Sequence, residues 1–325
     1  MSHLRRAEGS LAARRRLGWV LSIFAAVALT AVFAELIAAD LPVVAVTRGR
    51  FALLESVRER DRAASLSLEA IDAEYGGGLA IWPLVRSSPE RRFAPHASPS
   101  RAHPLGTDAL GRDIVASLAY GARAALAPSL FAVVMALGVG ALLGAFAGTV
   151  GGAWDELLSR PLEFLLAVPT VVVAALATAI APTHATLALA LAIAAVRGAE
   201  IARVVRVDAM ALMGLDHVLA ARALGSSPWR IVRRHVLPTT AGPILVMTVG
   251  TLPSLVVLEA SLAFLGVGTR RSWGTMIAEA VAPGGSKVAG LLAAGAILVT
   301  VAATKLLADA LDEALDPMRR PSPSS

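Results

Sequence analysis

A chain of 325 residues could fold into two soluble domains, but 56% hydrophobic residues, only 17% charged residues and a mean hydropathy of +0.67 describe an integral membrane protein. The absence of cysteine excludes disulfides and thiolate metal sites. A net charge of +6 and a pI near 10.8 would suit a nucleic-acid binder, yet the arginines flank apolar blocks without interleaved aromatics, so cytoplasmic retention of basic loops explains them and nucleic acid is not expected as a partner.

Residues 1–16 carry five arginines against one glutamate and are expected to be a cytoplasmic tail. Residues 17–39 form an apolar block, and about 20 helical residues at about 1.5 Å each span the roughly 30 Å of a bilayer core. A cleavable signal peptide competes with this reading. The length of the block, and Glu35 and Asp40 where a small-residue cleavage site would stand, favour a retained first transmembrane helix.

Residues 40–112 are the one long polar region, expected outside the cytoplasm because they follow a span that starts inside. Asp40–Thr47 has the pattern of a short strand, Ser56–Ala73 could be helical, Gly76–Gly78 breaks the chain, and Pro89–Pro104 reads as an extended tether. Residues 103–113, His-Pro-Leu-Gly-Thr-Asp-Ala-Leu-Gly-Arg-Asp, place Gly106 and Gly111 at the spacing of a phosphate-binding loop. Arg112-Asp113 stands where that loop needs Lys-Ser/Thr, and no strand precedes it, so ATP binding is rejected.

Residues 113–311 read as a transmembrane core. Apolar blocks run over 124–150, 162–180, from the Pro182–His184 turn to 196, 241–267 and 288–311. Gly140, Gly144 and Gly148 repeat every fourth residue and mark one helical face for close packing. Arg197, Glu200, Arg203 and Arg206 return the chain to the cytoplasm, residues 268–287 form an outer loop with Arg270 and Arg271, and 312–325 form a cytoplasmic tail. The expectation is an all-α integral membrane protein with six transmembrane helices, both termini cytoplasmic, and one long extracytoplasmic loop after the first helix.

Between the fourth and fifth blocks, within residues 200–240, Asp216–Pro238 is a polar, arginine-rich island. His217–Leu224 are mostly good helix formers, and Gly225 stands where a helix can end in the left-handed conformation. Ser226 or Ser227 can cap a second helix with Pro228 in its first turn, and Pro238 is expected to end it. Trp229, Val232 and Val236 share a face at spacings of three and four; Arg230, Arg233 and Arg234 take the remaining surface.

Side chains for chemistry are scarce. The histidines, at 3, 96, 103, 184, 217 and 235, show no metal-ligand spacing, and neither a metal site nor a catalytic residue is expected. Glu259 alone lies deep in an apolar block. It is either a transport carboxylate or a structural one that pairs with a neighbouring span or faces a water-filled lumen near the outer side.

The elbow resembles the cytoplasmic coupling loop of ABC importer permeases, whose motif is Glu-Ala-Ala, three residues, Gly, nine residues, then an aliphatic residue two before Leu-Pro. Ala220, Ala221, Gly225, Leu237 and Pro238 stand at that spacing; Leu219 replaces the glutamate and His235 the aliphatic residue. Gly106, Thr107, Asp108, Gly111, Arg112 and Asp113 resemble the signature before the second span of dipeptide and oligopeptide permeases, with Ala109 departing from its polar residue. Glu35-Leu36-Ile37-Ala38, Leu41-Pro42-Val43-Val44 and Trp82-Pro83 look like the N-terminal half of permeases importing microcin C and other oligopeptides.

The resemblance implies a permease subunit in a bacterial inner membrane, surrounded by lipid. It would pair with a homologous second permease, two cytoplasmic ATPase subunits that hold the ATP and magnesium, and an extracytoplasmic solute-binding protein. This chain would bind no cofactor and would not be an enzyme: it would form half of a pore for peptides or peptide-like solutes. Leu219, Ala220, Ala221, Gly225, Trp229, Arg230, Leu237 and Pro238 would carry the coupling to the ATPases. The rival reading is an ion-coupled secondary transporter, which needs intramembrane carboxylates and broken helices in matched halves; Glu259 and a break at Pro253 fit it.

Overall fold

The computed structural model describes residues 18–19, 21–47, 50–53, 59, 62, 66–268 and 271–315. The expected tail at 1–16, most of the 56–67 part of the expected loop helix, Arg270 and residues 316–325 lie outside the described residues. In chain order the elements are α1 (Leu21–Val32), α2 (Ala34–Ile37), β1 (Val44–Thr47), β2 (Arg50–Leu53), α3 (Leu68–Tyr75), β3 (Leu79–Ile81), α4 (Ile114–Val150), α5 (Gly152–Ala167) and α6 (Thr170–Ile180). After a 3-10 turn at Pro182–His184 come α7 (Ala185–Leu212), α8 (Asp216–Ala223), α9 (Pro228–Ile231), a π turn (Val232–Val236), α10 (Leu237–Val249), α11 (Leu252–Phe264), α12 (Trp273–Val281) and α13 (Lys287–Leu315).

Among the described residues four stretches are long and apolar enough to cross a membrane: Ile114–Val150, Pro182–Leu212, Pro228–Phe264 and Lys287–Leu315. The pair α5 and α6 makes a fifth if counted as one span, although it is bent by 95°. The expected block at 162–180 is therefore not a straight helix. Pro169 cannot continue α5, and it pushes Val168 into an extended conformation at φ −94°, ψ 129°. Of the expected first span, α1 covers only Leu21–Val32 among the described residues.

The chain divides into two compact units. One comprises Met1–Ser22, Pro128–Leu258 and Val301–Ser325. In it the glycine stripe of α4 lies against the backbone of α7: a Cβ at Gly140, Gly144 or Gly148 would stand 2.4, 2.2 and 2.4 Å from the carbonyl oxygens of Gly198, Ala202 and Arg206. Both helices thus meet once per turn at main-chain distance, which only glycine permits. The space left beside this seam is filled by buried Ala141, Ala145, Ile201, Val205 and Ala209. At its end the Arg206 guanidinium pairs with Asp155 of α5, with Nη2 to Oδ2 at 2.6 Å.

The other unit comprises Ile23–Ala127 and Glu259–Thr300. It contains a three-stranded antiparallel sheet, order β2-β1-β3, which the all-helical expectation omitted beyond its first strand. Alternation sends Ala45 inward onto Ile71 and Tyr75 of α3, with Leu41 and Trp82 completing the cluster. Pro89–Pro104 contains no helix or strand, but it is pinned and not a free tether. Arg91 Nε donates to Asp40 Oδ1 at 2.6 Å, Phe93 N–H to the Gly111 carbonyl at 2.7 Å, and His96 N–H to that of Asp108 at 3.0 Å.

Candidate functional site

The elbow is built as two capped helices. Gly225 has φ +78°, its N–H donates to the Arg222 carbonyl at 2.9 Å, and Ser226 N–H donates to that of Ala221 at 3.0 Å. This pair of bonds around a left-handed glycine satisfies the last carbonyls of α8. Two residues on, Ser227 Oγ accepts from Arg230 N–H at 3.4 Å with Pro228 in the first helical turn, so of the two candidate serines the cap is Ser227. The helical run that α9 begins does not stop at Pro238 but continues through the π turn into α10. Leu237 N–H donates to the Val232 carbonyl five residues back, and Pro238, which has no N–H to place, sits in the first turn of α10.

One side of the elbow is anchored: Val218, Ile231, Val232 and Val236 are buried with Ile201, Val205, Ala209 and Ile244. Trp229 does not share the buried face of Val232 and Val236: Ile231 stands there with them, because the buried sector is centred between residues 231 and 232. Trp229 is consequently 54% exposed, with Leu219 at 47% and Leu224 at 88%. Arg230, Arg233 and Arg234 are exposed as well, and together with Ser227 and Trp229 they line an open concavity. Ala220 is exposed and Ala221 half-buried on α8. Sequence spacing missed Leu224, whose exposure follows from its place as the last residue before the left-handed turn.

His217 and His235 approach across the elbow, with ring centroids 5.6 Å apart, a proximity that their separation in sequence concealed. Among the described residues no group of three His, Asp or Glu could hold a metal ion.

The signature before α4 folds as a polar knot. Gly106 and Gly111 are left-handed, at φ +78° and +77°. Between them Thr107 Oγ1 donates to the Ala94 carbonyl at 2.6 Å and accepts from Ala97 N–H at 2.8 Å. Asp108 Oδ1 accepts from the N–H groups of Leu110 and Arg112 at 2.8 and 2.9 Å, and its Oδ2 from Arg112 Nε at 2.7 Å. Arg112 also pairs with Glu279 of α12. Burial works to lower the Arg112 pKa, but the bonds from Glu279 and Asp108 outweigh it and hold the guanidinium above its ordinary value. Asp113, fully buried, caps α4 by accepting from Ala116 N–H at 2.9 Å and meets His103 Nδ1 at 2.9 Å. The side chains of Thr107, Asp108, Arg112 and Asp113 are thus each bonded within the protein.

Glu259 is 1% exposed and accepts from Ser272 Oγ at 2.9 Å. Ser272 in turn caps α12.

Residues 140–320 match the family model described as binding-protein-dependent transport system inner membrane component. The chain belongs to this family. The permease is 36% identical over 228 residues to the glutathione transport system permease protein GsiD of Pectobacterium atrosepticum, covering 67% of this chain and 74% of that one. It is 33% identical over 254 residues to the dipeptide transport system permease protein DppC of Bacillus subtilis, covering 76% and 78%. Against the oligopeptide transport system permease protein OppC of the same organism it is 33% identical over 227 residues, covering 68% and 74%. A solved structure of the MetNI methionine ABC transporter, in inward facing conformations, gives a TM-score of 0.46 at 21% identity over 61% of this chain and 92% of that one, too distant a likeness to bear on the assignment. The permease is a multi-pass membrane component of a binding-protein-dependent transport system.

Proposed function

We propose that the permease forms half of the translocation pore of an ATP-driven importer for peptides or peptide-like solutes, in a bacterial inner membrane. Six spans place both termini and the elbow in the cytoplasm, with residues 40–112 outside. A second permease completes the pore, a solute-binding protein delivers the cargo from outside, and two cytoplasmic ATPases hold ATP and magnesium. The work of this chain is mechanical. ATPase closure drives alternating access only to the extent that the closed ATPases bind the outward-facing state better than the inward-facing one.

The observation that carries this reading is the two-sided elbow. Its inner side is locked to α7 by Val218, Ile231, Val232 and Val236, so a push on it moves the helix as a body. The outer side offers Leu219, Leu224 and Trp229 as apolar anchors ringed by Arg230, Arg233 and Arg234. Buried aromatic anchors commonly carry about 2 kcal/mol or more of binding free energy, whereas rim charges govern rate and salt dependence. In affinity measurements between purified permease and ATPase subunits, Trp229→Ala is expected to weaken association by about 30-fold. Arg230→Ala should change it little at physiological salt. Equal losses in both variants, each abolished by raising the salt, would mean that the contact is electrostatic and that Trp229 anchors nothing.

A further inference from the structure

The sheet that follows the first apolar helix has one covered face and one bare face. Pairing sets Val46 opposite Leu79 and Val44 opposite Ile81, so these four side chains point away from α3 on the face opposite Ala45. Leu79 is 71% and Ile81 56% exposed, and Val46 is exposed beside them. On the other face Arg86 stacks over Trp82 with its guanidinium carbon 3.6 Å from the ring centroid, and pairs with Asp72 of α3.

What covers the bare face is indicated by how it is fastened. Leu84 N–H donates to the Leu36 carbonyl at 3.2 Å, Val85 N–H to that of Ile37 at 2.8 Å, and Ala39 N–H to that of Val85 at 3.2 Å. The segment leaving β3 is therefore stapled, as a parallel bridge at Ala38 and Val85, to the end of the apolar helix Ala34–Ile37. Leu84 is 79% exposed at that level, next to exposed Leu36 and Phe33, which continue the outward apolar surface of α1 and α2. Val32, Phe33, Leu36 and Leu84 on either side of this staple, and Ile81, Leu79 and Val46 on the sheet it holds, are all exposed apolar side chains.

We infer that this sheet lies on the bilayer surface, with Val46, Leu79, Ile81 and Leu84 seated in the interfacial region of the leaflet where the first span ends. The ligand is a phospholipid surface, and the sheet acts as a float that fixes the depth and tilt of that span. The inference rests on the reading that α1 enters the bilayer. Apolar faces of this kind sit about 5–10 Å into the headgroup and acyl boundary.

The absence of cysteine permits a direct test on the full-length permease in nanodiscs of phosphatidylethanolamine and phosphatidylglycerol. Leu79→Cys, Ile81→Cys and Leu84→Cys, each carrying an environment-sensitive fluorophore, are compared with Val32→Cys on α1 and Ser98→Cys in the pinned loop. Quenching by nitroxide lipids is expected at Leu79, Ile81, Leu84 and Val32 but not at Ser98, with iodide quenching at least about threefold weaker than at Ser98. Lipid quenching at Val32 with free iodide access at Leu79 and Ile81 would overturn the inference and leave the span intact. No lipid quenching at Val32 would overturn the span and the inference together. Iodide protection that arises only on adding the purified solute-binding protein would assign the face to a protein partner instead.

Discussion

Replacing Gly144 by leucine and Gly138 by leucine makes the same chemical change twice on one helix, with opposite expected results. A Cβ at Gly144 would stand 2.2 Å from the Ala202 carbonyl oxygen and 2.8 Å from its Cα, whereas one at Gly138 meets nothing within 4 Å. Ordinary contact begins near 3.4 Å, so a single methyl at Gly144 forces α4 and α7 apart by about 1.2 Å. A radial gap of about 0.5–1 Å already forfeits a quarter to a half of each dispersion contact, and the contacts at stake are those of Ala141, Ala145, Ile201, Val205 and Ala209. Gly144→Ala is expected to destabilise by about 1–3 kcal/mol, the usual range for overpacking, and Gly144→Leu by more, enough to prevent accumulation in the membrane. Gly138→Leu gains the same helix propensity, about 0.5–1 kcal/mol, at an exposed site and should be no less stable than the parent. The assay is thermal unfolding of detergent-purified protein followed by size-exclusion chromatography, alongside membrane levels. Equal melting of Gly144→Leu and Gly138→Leu would refute the close approach of the two helices.

Further expectations concern topology and the polar knot. An impermeant thiol reagent added to intact spheroplasts should label Ser98→Cys and Ala282→Cys but not Ser226→Cys, and labelling of the last would overturn the six-span arrangement. These sites avoid Ser272, which is buried against Glu259 and unsuitable for labelling. Thr107→Val removes a buried hydroxyl that serves both the Ala94 carbonyl and the Ala97 N–H, and should destabilise by about 1–3 kcal/mol; an unchanged melting temperature would show that water or a rearranged loop replaces it.

The parts legible in the sequence are those governed by local rules. Gly225, Ser227 and Pro228 announce the elbow because left-handed backbone, helix capping and a missing N–H each restrict a position to few residue types. The stripe at Gly140, Gly144 and Gly148 is legible for a similar reason, since only contact at main-chain distance requires glycine once per turn. Pro169 was present to be read, but an average of hydropathy over 162–180 conceals a single residue that bends the chain by 95°. Pro238 misleads in the opposite sense. A π turn before it lets the helix continue, and that turn depends on a packed context no local rule encodes. The pairing of β3 with β1, and that of Glu259 with Ser272, rest on partners that no local pattern joins. Inward and outward places within the elbow were decided by Ile231 competing with Trp229 for the core beside α7.

The central claim is that the elbow transmits ATPase closure, and Gly225→Val tests it most directly. At φ +78° with open space around the Cβ, the substitution meets no clash, so its cost is the left-handed strain of a side chain, about 1–2 kcal/mol, increased by β-branching. Helix packing elsewhere is untouched and the protein should reach the membrane at normal levels. The turn would relax, losing the bonds from Gly225 to Arg222 and from Ser226 to Ala221, and with them the angle between α8 and α9. Measured as peptide uptake and ATPase activity in the same proteoliposomes, Gly225→Val is expected to keep basal ATP hydrolysis, to lose transport and its stimulation by loaded binding protein, and Gly225→Ala to retain part of both. Wild-type uptake by Gly225→Val at equal membrane levels would contradict the account.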